Sequence, residues 1–130
     1  MDFFSFEKLN AYQQARFLVV DVYRIINVLP NNERFALCQQ IQRSITSVPS
    51  NIAEGCGRIS FKEKIHFLEI ACGSLFESYS QLQTCVDLQY ISEYSFYTLK
   101  PKFFDVYRLI NGLRQSYIDK LAEMANTQKN

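Results

Sequence analysis

The 130-residue sequence has no tryptophan, four glycines, three prolines and a single histidine. So little Gly and Pro leaves few turns, which excludes a chain of many short strands and favours long helices. The lone His66 sits in Glu63-Lys64-Ile65-His66, one copy of an E-x-x-H motif. A carboxylate-bridged metal pair in a helical bundle needs that motif twice, so no metal centre is expected. Charge of one sign is equally scarce, with 14 Lys and Arg against 13 Asp and Glu for a net of +1. Strong nonspecific nucleic-acid binding requires a cationic surplus, and this sequence has none.

Long apolar runs are missing too. The longest, such as Phe17–Val20, fall far short of the ~20 residues that span a bilayer. The opening MDFFSFEKLN has no basic stretch followed by an apolar one, so the expectation is a cytoplasmic protein with no signal peptide and no membrane partner. Cys38, Cys56, Cys72 and Cys85 form no C-x-x-C pair and no zinc-ligand cadence, and read as reduced thiols. There is no phosphate-cradling G-x-x-x-x-G-K-[ST], no dinucleotide fingerprint and no G-x-S-x-G elbow. The expectation is a protein that is not an enzyme, with no catalytic residue, no cofactor and no small-molecule substrate.

What the sequence does have is hydrophobic residues, 48% of the total, at helical spacing. Tyr12, Ala15, Val19, Val22, Ile26 and Leu29 step by three and four, then Pro30-Asn31-Asn32 interrupts. Cys38, Ile41, Ile45, Val48 and Ile52 repeat the cadence up to Gly55 and Gly57, which read as a helix stop, with Asn31 or Asn32 as the preceding cap. Ser60 and Glu63 form a capping box before a seam of Phe61, Ile65, Leu68, Cys72, Leu75, Tyr79, Leu82 and Val86. After a connection capped by Ser92, a fourth seam runs from Phe96 through Leu99, Phe103, Val106, Ile110, Leu113, Tyr117 and Leu121 to Met124. Pro101 is expected to kink this helix or split off its first turn, and the tail beyond Ala125 to fray. The fold class is therefore all-α, an antiparallel up-down-up-down four-helix bundle in one domain, residues 1–130, with helices at about 7–29, 33–56, 61–88 and 93–124.

Eleven Phe and eight Tyr exceed what four seams can bury. Helical-wheel placement leaves Phe17 and Val20 outside the first seam, and puts Ile70 opposite the third with Phe67 on its flank, near the small Gly73 and Ser74. These six residues are the candidate interface of a homo-oligomer, with Phe3, Phe4 and Phe6 as a further apolar arm. A second unusual stretch is Ser47-Val48-Pro49-Ser50-Asn51-Ile52-Ala53-Glu54-Gly55, where a proline interrupts a helical seam. Pro49 removes the bond to the carbonyl of Ile45, and Ser47, Ser50 and Asn51 are short polar side chains placed to serve freed groups. Arg43 lies one turn before Ser47, and Glu54 can pair with Arg58 one turn on. The stretch is open to two readings, a kinked helix end with a local polar network or a recognition surface.

The run QIQRSITSVPSNIAEGCGRIS followed by FKEKIHFLEIACGSLFESYSQL resembles the family of 23S rRNA intervening-sequence proteins, whose relatives include the accessory variability determinant of diversity-generating retroelements. The resemblance extends from about Lys8, in KLNAYQQA, through Leu113. It is specific at Ser47, Pro49, Asn51 to Gly55, Arg58 and Ser60, then at Phe67, Leu68, Ala71, Gly73 to Leu75 and Glu77. It implies a bacterial, antiparallel four-helix bundle assembled as a ring-like homopentamer, with RNA or a nucleic-acid-processing protein as partner. Retroelement relatives use a strongly basic surface for that contact, and here the sequence departs. No helical segment strays from neutrality by more than two charges, and the family's paired arginines are reduced to Gln42-Arg43. Lys100, Lys102, Arg108 and Arg114, set against Asp105, remain the candidate nucleic-acid contact. A protein-binding assembly with no nucleic-acid role is the alternative.

Overall fold

The computed structural model describes residues 4–129. Phe3 of the aromatic arm lies outside the described residues. Four helices form: α1 Asn10–Ile26, α2 Leu37–Cys56, α3 Phe61–Asp87 and α4 Glu93–Lys129, with 3-10 turns at Ser5–Lys8 and Asn31–Glu33. No strand occurs among the described residues.

The core explains why these segments are helical. Ala15, Leu18, Val22 and Ile26 of α1, Ile41, Ile45, Val48 and Ile52 of α2, Leu68, Leu75 and Leu82 of α3, and Leu99, Val106 and Ile110 of α4 are buried in one cluster. Each of the Val, Leu and Ile side chains contributes roughly 1.5–3 kcal/mol when fully withdrawn from water. The buried stripes of α1 and α3 are rotated slightly from the expected seams. Leu18 is buried in α1 while Val19 is half-buried, and in α3 Ala71, Ser78 and Cys85 go inside while Cys72, Tyr79 and Val86 sit at the edge.

Ser60 and Ser92 cap their helices as expected, Ser60 through one bond of the expected capping box. Ser60 Oγ accepts from the Glu63 amide at 3.1 Å, and Ser92 Oγ accepts from the Ser95 amide at 3.1 Å. Elsewhere the helices depart from expectation. α1 is shorter than 7–29, because its start gives way to a 3-10 turn and its end to the Pro30 turn. α2 begins at Leu37 rather than 33. Asn31 and Asn32 open a 3-10 turn, Asn31–Glu33, instead of capping the helix, whose N-cap is Ala36. Neither Pro101 nor the tail interrupts α4, which runs unbroken for 37 residues, about 55 Å at ~1.5 Å per residue. Pro101 is the ninth residue of α4, beyond the four amides that a helix start leaves free, so it removes the bond to the Tyr97 carbonyl and the helix continues through it.

Gly55 is not a helix stop. It lies inside α2, buried, and a Cβ there would stand 3.0 Å from Phe67 Cβ and 3.2 Å from the Lys64 carbonyl oxygen. Its role is to let α2 and α3 approach. The helix ends at Cys56 with Gly57 as its C-cap, and the Lys64 ammonium donates to the Cys56 carbonyl at 2.8 Å, a cation at the negative end of α2.

Candidate functional site

The α2–α3 contact is built from small polar residues. Ser78 Oγ donates to Ser44 Oγ at 2.7 Å, and Ser44 Oγ is 2.8 Å from Gln81 Oε1. One turn along, Ser47 and Ser74 hydroxyls meet at 2.9 Å, and Asn51 Nδ2 donates to both the carbonyl and the hydroxyl of Ser47 at 2.8 Å. The ladder ends where Gly55 meets Phe67. Short side chains bring the two backbones together, and the buried hydroxyls of Ser44 and Ser78 satisfy one another where water is excluded.

Pro49 is buried within α2, which continues through it. The neighbouring polar side chains do bond backbone carbonyls, but not the one the proline frees. Thr46 Oγ1 donates to Gln42 O at 2.7 Å, Ser50 Oγ to Thr46 O at 2.9 Å, and Asn51 to Ser47 O, whereas the carbonyl four residues before Pro49 is that of Ile45. The outer edge of this stretch, Pro49, Ser50, Glu54 and Arg58, lines a shallow groove of about 610 Å³ with Phe6, Tyr12 and Arg16. Arg58 is ion-paired with Glu54 and lies 4.6 Å over the Phe67 ring, and Arg16 lies 5.7 Å over Tyr12. Arg43 is exposed one turn before Ser47.

A larger groove, about 740 Å³, opens between α3 and α4 over Leu75, Phe76, Tyr79, Tyr97, Phe104 and Tyr107. It is almost wholly apolar and was not singled out from sequence. The signal was present in the run Phe96-Tyr97 to Phe103-Phe104 and Tyr107, which carries two apolar faces where one seam was counted.

Sequence comparison resolves the lineage: residues 7–112 match the 23S rRNA-intervening sequence proteins. The chain belongs to that family. A solved structure of similar fold is that of a protein with unknown function from the S23 ribosomal protein family of Bacteroides thetaiotaomicron VPI-5482. It is 21% identical, covers 80% of this chain and 97% of its own, and superposes with a TM-score of 0.70. No curated protein matches. In this member of the 23S rRNA-intervening sequence protein family, Gly55 is buried and Ser47, Asn51 and Ser74 are half-buried along the α2–α3 contact, while Ser50, Glu54 and Arg58 are exposed.

Ser74 and Phe67, placed from sequence in an intersubunit face, are thus occupied within the chain: Ser74 by Ser47, and Phe67 by Gly55 and the Arg58 guanidinium. Phe17, Val20, Ile70 and Gly73 are exposed, and nothing lies within 4 Å of a Cβ built at Gly73. The four candidate cations also divide. Lys102 pairs with Asp21 of α1 at 2.7 Å and Arg114 with Glu69 of α3 at 3.0 Å, so both tie α4 to the bundle. Lys100 and Arg108 instead stand over the rings of Tyr97 and Phe104.

Two of the four thiols are shifted away from the reactive thiolate. Burial, aided by Glu33 and Cys38, pushes Cys85 up to about 11, and burial also raises Cys72 despite Arg114. A nucleophilic cysteine needs the opposite shift. Among the described residues no group of His, Cys, Asp and Glu is arranged to hold a metal ion, and no helix is long and apolar enough to cross a membrane.

Proposed function

We propose that this chain is a noncatalytic scaffold of the 23S rRNA-intervening sequence protein type, an antiparallel up-down-up-down bundle that works as a ring-like homo-oligomer, five-membered if it follows the resemblance. The reversed order of residue pairs across α2 and α3, Ser44 with Ser78 and Ser47 with Ser74, supports the antiparallel arrangement. One observation carries the functional reading. Among the described residues every buried side-chain polar atom has a partner inside the fold, while large apolar side chains remain uncovered on α1, α3 and α4. Polar groups turned wholly inward stabilise a shape, and uncovered apolar faces call for other protein surfaces.

Sedimentation velocity tests the reading. The expected species is a multiple of the 15.2 kDa chain, reduced in mass by Phe17→Lys combined with Ile70→Lys. A monomer at all concentrations overturns it.

A second reading, contact with RNA, is favoured by Lys100 and Arg108, which form no ion pair among the described residues. Fluorescence anisotropy of a labelled structured RNA at two salt concentrations checks it. Salt-sensitive binding that Lys100→Glu with Arg108→Glu abolishes supports RNA contact, and no binding at low salt leaves a purely protein-binding assembly.

A further inference from the structure

The chain is nearly neutral as a whole, but its charges are unevenly spread. Between Asp21 and Glu54 it holds Arg24, Arg34 and Arg43 against Glu33 alone. The Glu33 carboxylate lies by Tyr90 and Cys85, whose hydroxyl and thiol it helps to raise. All three arginines are exposed, and none forms an ion pair among the described residues. Where α1 gives way to α2, a surface cleft of about 500 Å³ is lined by Asn27, Asn31, Arg34, Phe35, Gln39 and Gln42, with no carboxylate in its wall. Phe35 is 80% exposed, more than any other described Phe or Tyr, and the Arg34 guanidinium lies 5.6 Å over its ring. Among the described residues the Asn and Gln side chains bonded within the chain are those of Gln13, Asn51, Gln81 and Gln115, so the four amides of the cleft are unspent.

We infer that this cleft holds an unpaired nucleobase of a single-stranded nucleic acid, stacked on Phe35, with the arginines on the flanking phosphates. Each part answers one feature of that ligand. An exposed ring is a stacking face that any base can use, and a guanidinium plane extends it. Asn and Gln amides both donate and accept hydrogen bonds, as base edges do. A carboxylate would repel phosphate, and the wall has none. An apolar protein surface fits worse, because it would cover four amides and give them no partner. A duplex fits worse too, since its bases are already stacked and paired and leave no face for Phe35. A free nucleotide would have no use for the cations beyond the cleft, Arg43 one turn after Gln39 on α2 and Arg24 one turn before Asn27 on α1, whereas a strand crossing the cleft would meet them. The inference goes beyond both readings above, being independent of the assembly and of the Lys100 and Arg108 contact on α4.

Fluorescence anisotropy on the full chain tests it, with a labelled short single-stranded RNA of mixed sequence, its DNA counterpart and the matched duplex as probes. Phe35→Ala should weaken single-strand binding by about 5- to 150-fold, the range for one stacked base, and Phe35→Tyr, which keeps the ring, should restore it. Gln39→Ala with Gln42→Ala should weaken binding at every salt concentration, and Arg34→Gln should flatten its salt dependence. Far-UV circular dichroism checks that each variant is folded. If Phe35→Ala binds as tightly as the wild type, or the duplex as tightly as the single strands, the inference fails. Should that remaining binding vanish in Lys100→Glu with Arg108→Glu, the RNA contact on α4 stands without it. If AMP or UMP displaces the strand at equal concentration, the ligand is a free nucleotide and the inference is overturned. No binding of any probe at low salt defeats this inference and the RNA reading together, and leaves the scaffold reading untouched.

Discussion

Ser78 on α3 and Ser44 on α2 are both buried, and the hydroxyl of the first donates to the hydroxyl of the second at 2.7 Å. Ser78 is also 2.9 Å from the Ser74 carbonyl. Ser78→Ala leaves Ser44 without its donor in a place water does not reach. The expected cost is about 1–2 kcal/mol in urea unfolding. Ser44→Ala combined with Ser78→Ala should cost less than the sum of the two single changes, because removing both partners orphans fewer groups.

Gly55 and Gly73 sit in neighbouring helices yet should respond oppositely to alanine. At Gly55 the new methyl would press on Phe67 Cβ and the Lys64 carbonyl, and a destabilisation of about 1–3 kcal/mol is expected from overpacking. At Gly73 the space is open, so Gly73→Ala should raise stability by up to about 1 kcal/mol through helix propensity. Thermal unfolding of the two variants checks the sign of each.

Gln89, just after α3, holds φ of 63°, the only described non-glycine residue at positive φ. The amide of Tyr90 bonds back to the Cys85 carbonyl at 2.9 Å across this turn. A side chain there carries a penalty that glycine avoids. Gln89→Gly should stabilise the protein by about 1 kcal/mol, seen as a melting point higher by a few degrees.

Alkaline pH should weaken the fold through Cys85. The folded thiol is raised from 9.0 to about 11, chiefly by burial. The neutral thiol is therefore favoured in the fold, and its contribution is complete below pH 9 and lost as pH rises towards 11. Denaturant midpoints should fall across that window by an amount worth about 2–3 kcal/mol. In Cys85→Ala the fall should be shallower. Tyr117, also raised by burial, still titrates in that variant, so the comparison isolates the cysteine.

The apolar seams were legible because three-and-four spacing has no other common cause. Ile41, Ile45, Val48 and Ile52 all went inside, as did Phe103, Val106 and Ile110. Ser44 and Ser78 were not legible as core. A serine on a helix looks the same whether it meets water or another serine, and only the facing helix decides. The same blindness read Gly55 as a terminator, since a close approach of two backbones leaves no periodic mark. Asn31 or Asn32 was read as the cap of the next helix because an Asn side chain can accept from its first amides, but both open a 3-10 turn, Asn31–Glu33, that is separate from α2, whose N-cap is Ala36. The α3–α4 groove escaped because Tyr79 and Phe103 were assigned to the core without asking what covers their outer neighbours, Phe76 and Phe104.

The connection between α2 and α3 is short, residues 57–60, and the helices it joins meet in a ladder of small side chains. Closing so short a loop costs little chain entropy, whereas α1 and α4 must find each other across most of the sequence. The α2–α3 hairpin is thus the element expected to be structured in the folding transition state. Changes at Ser44 or Ser78 should slow refolding, with φ-values well above those of Ala15 or Ile110, whose substitution should act mainly by speeding unfolding. The serine ladder then sets the order in which the chain assembles itself, as well as the distance between two of its helices.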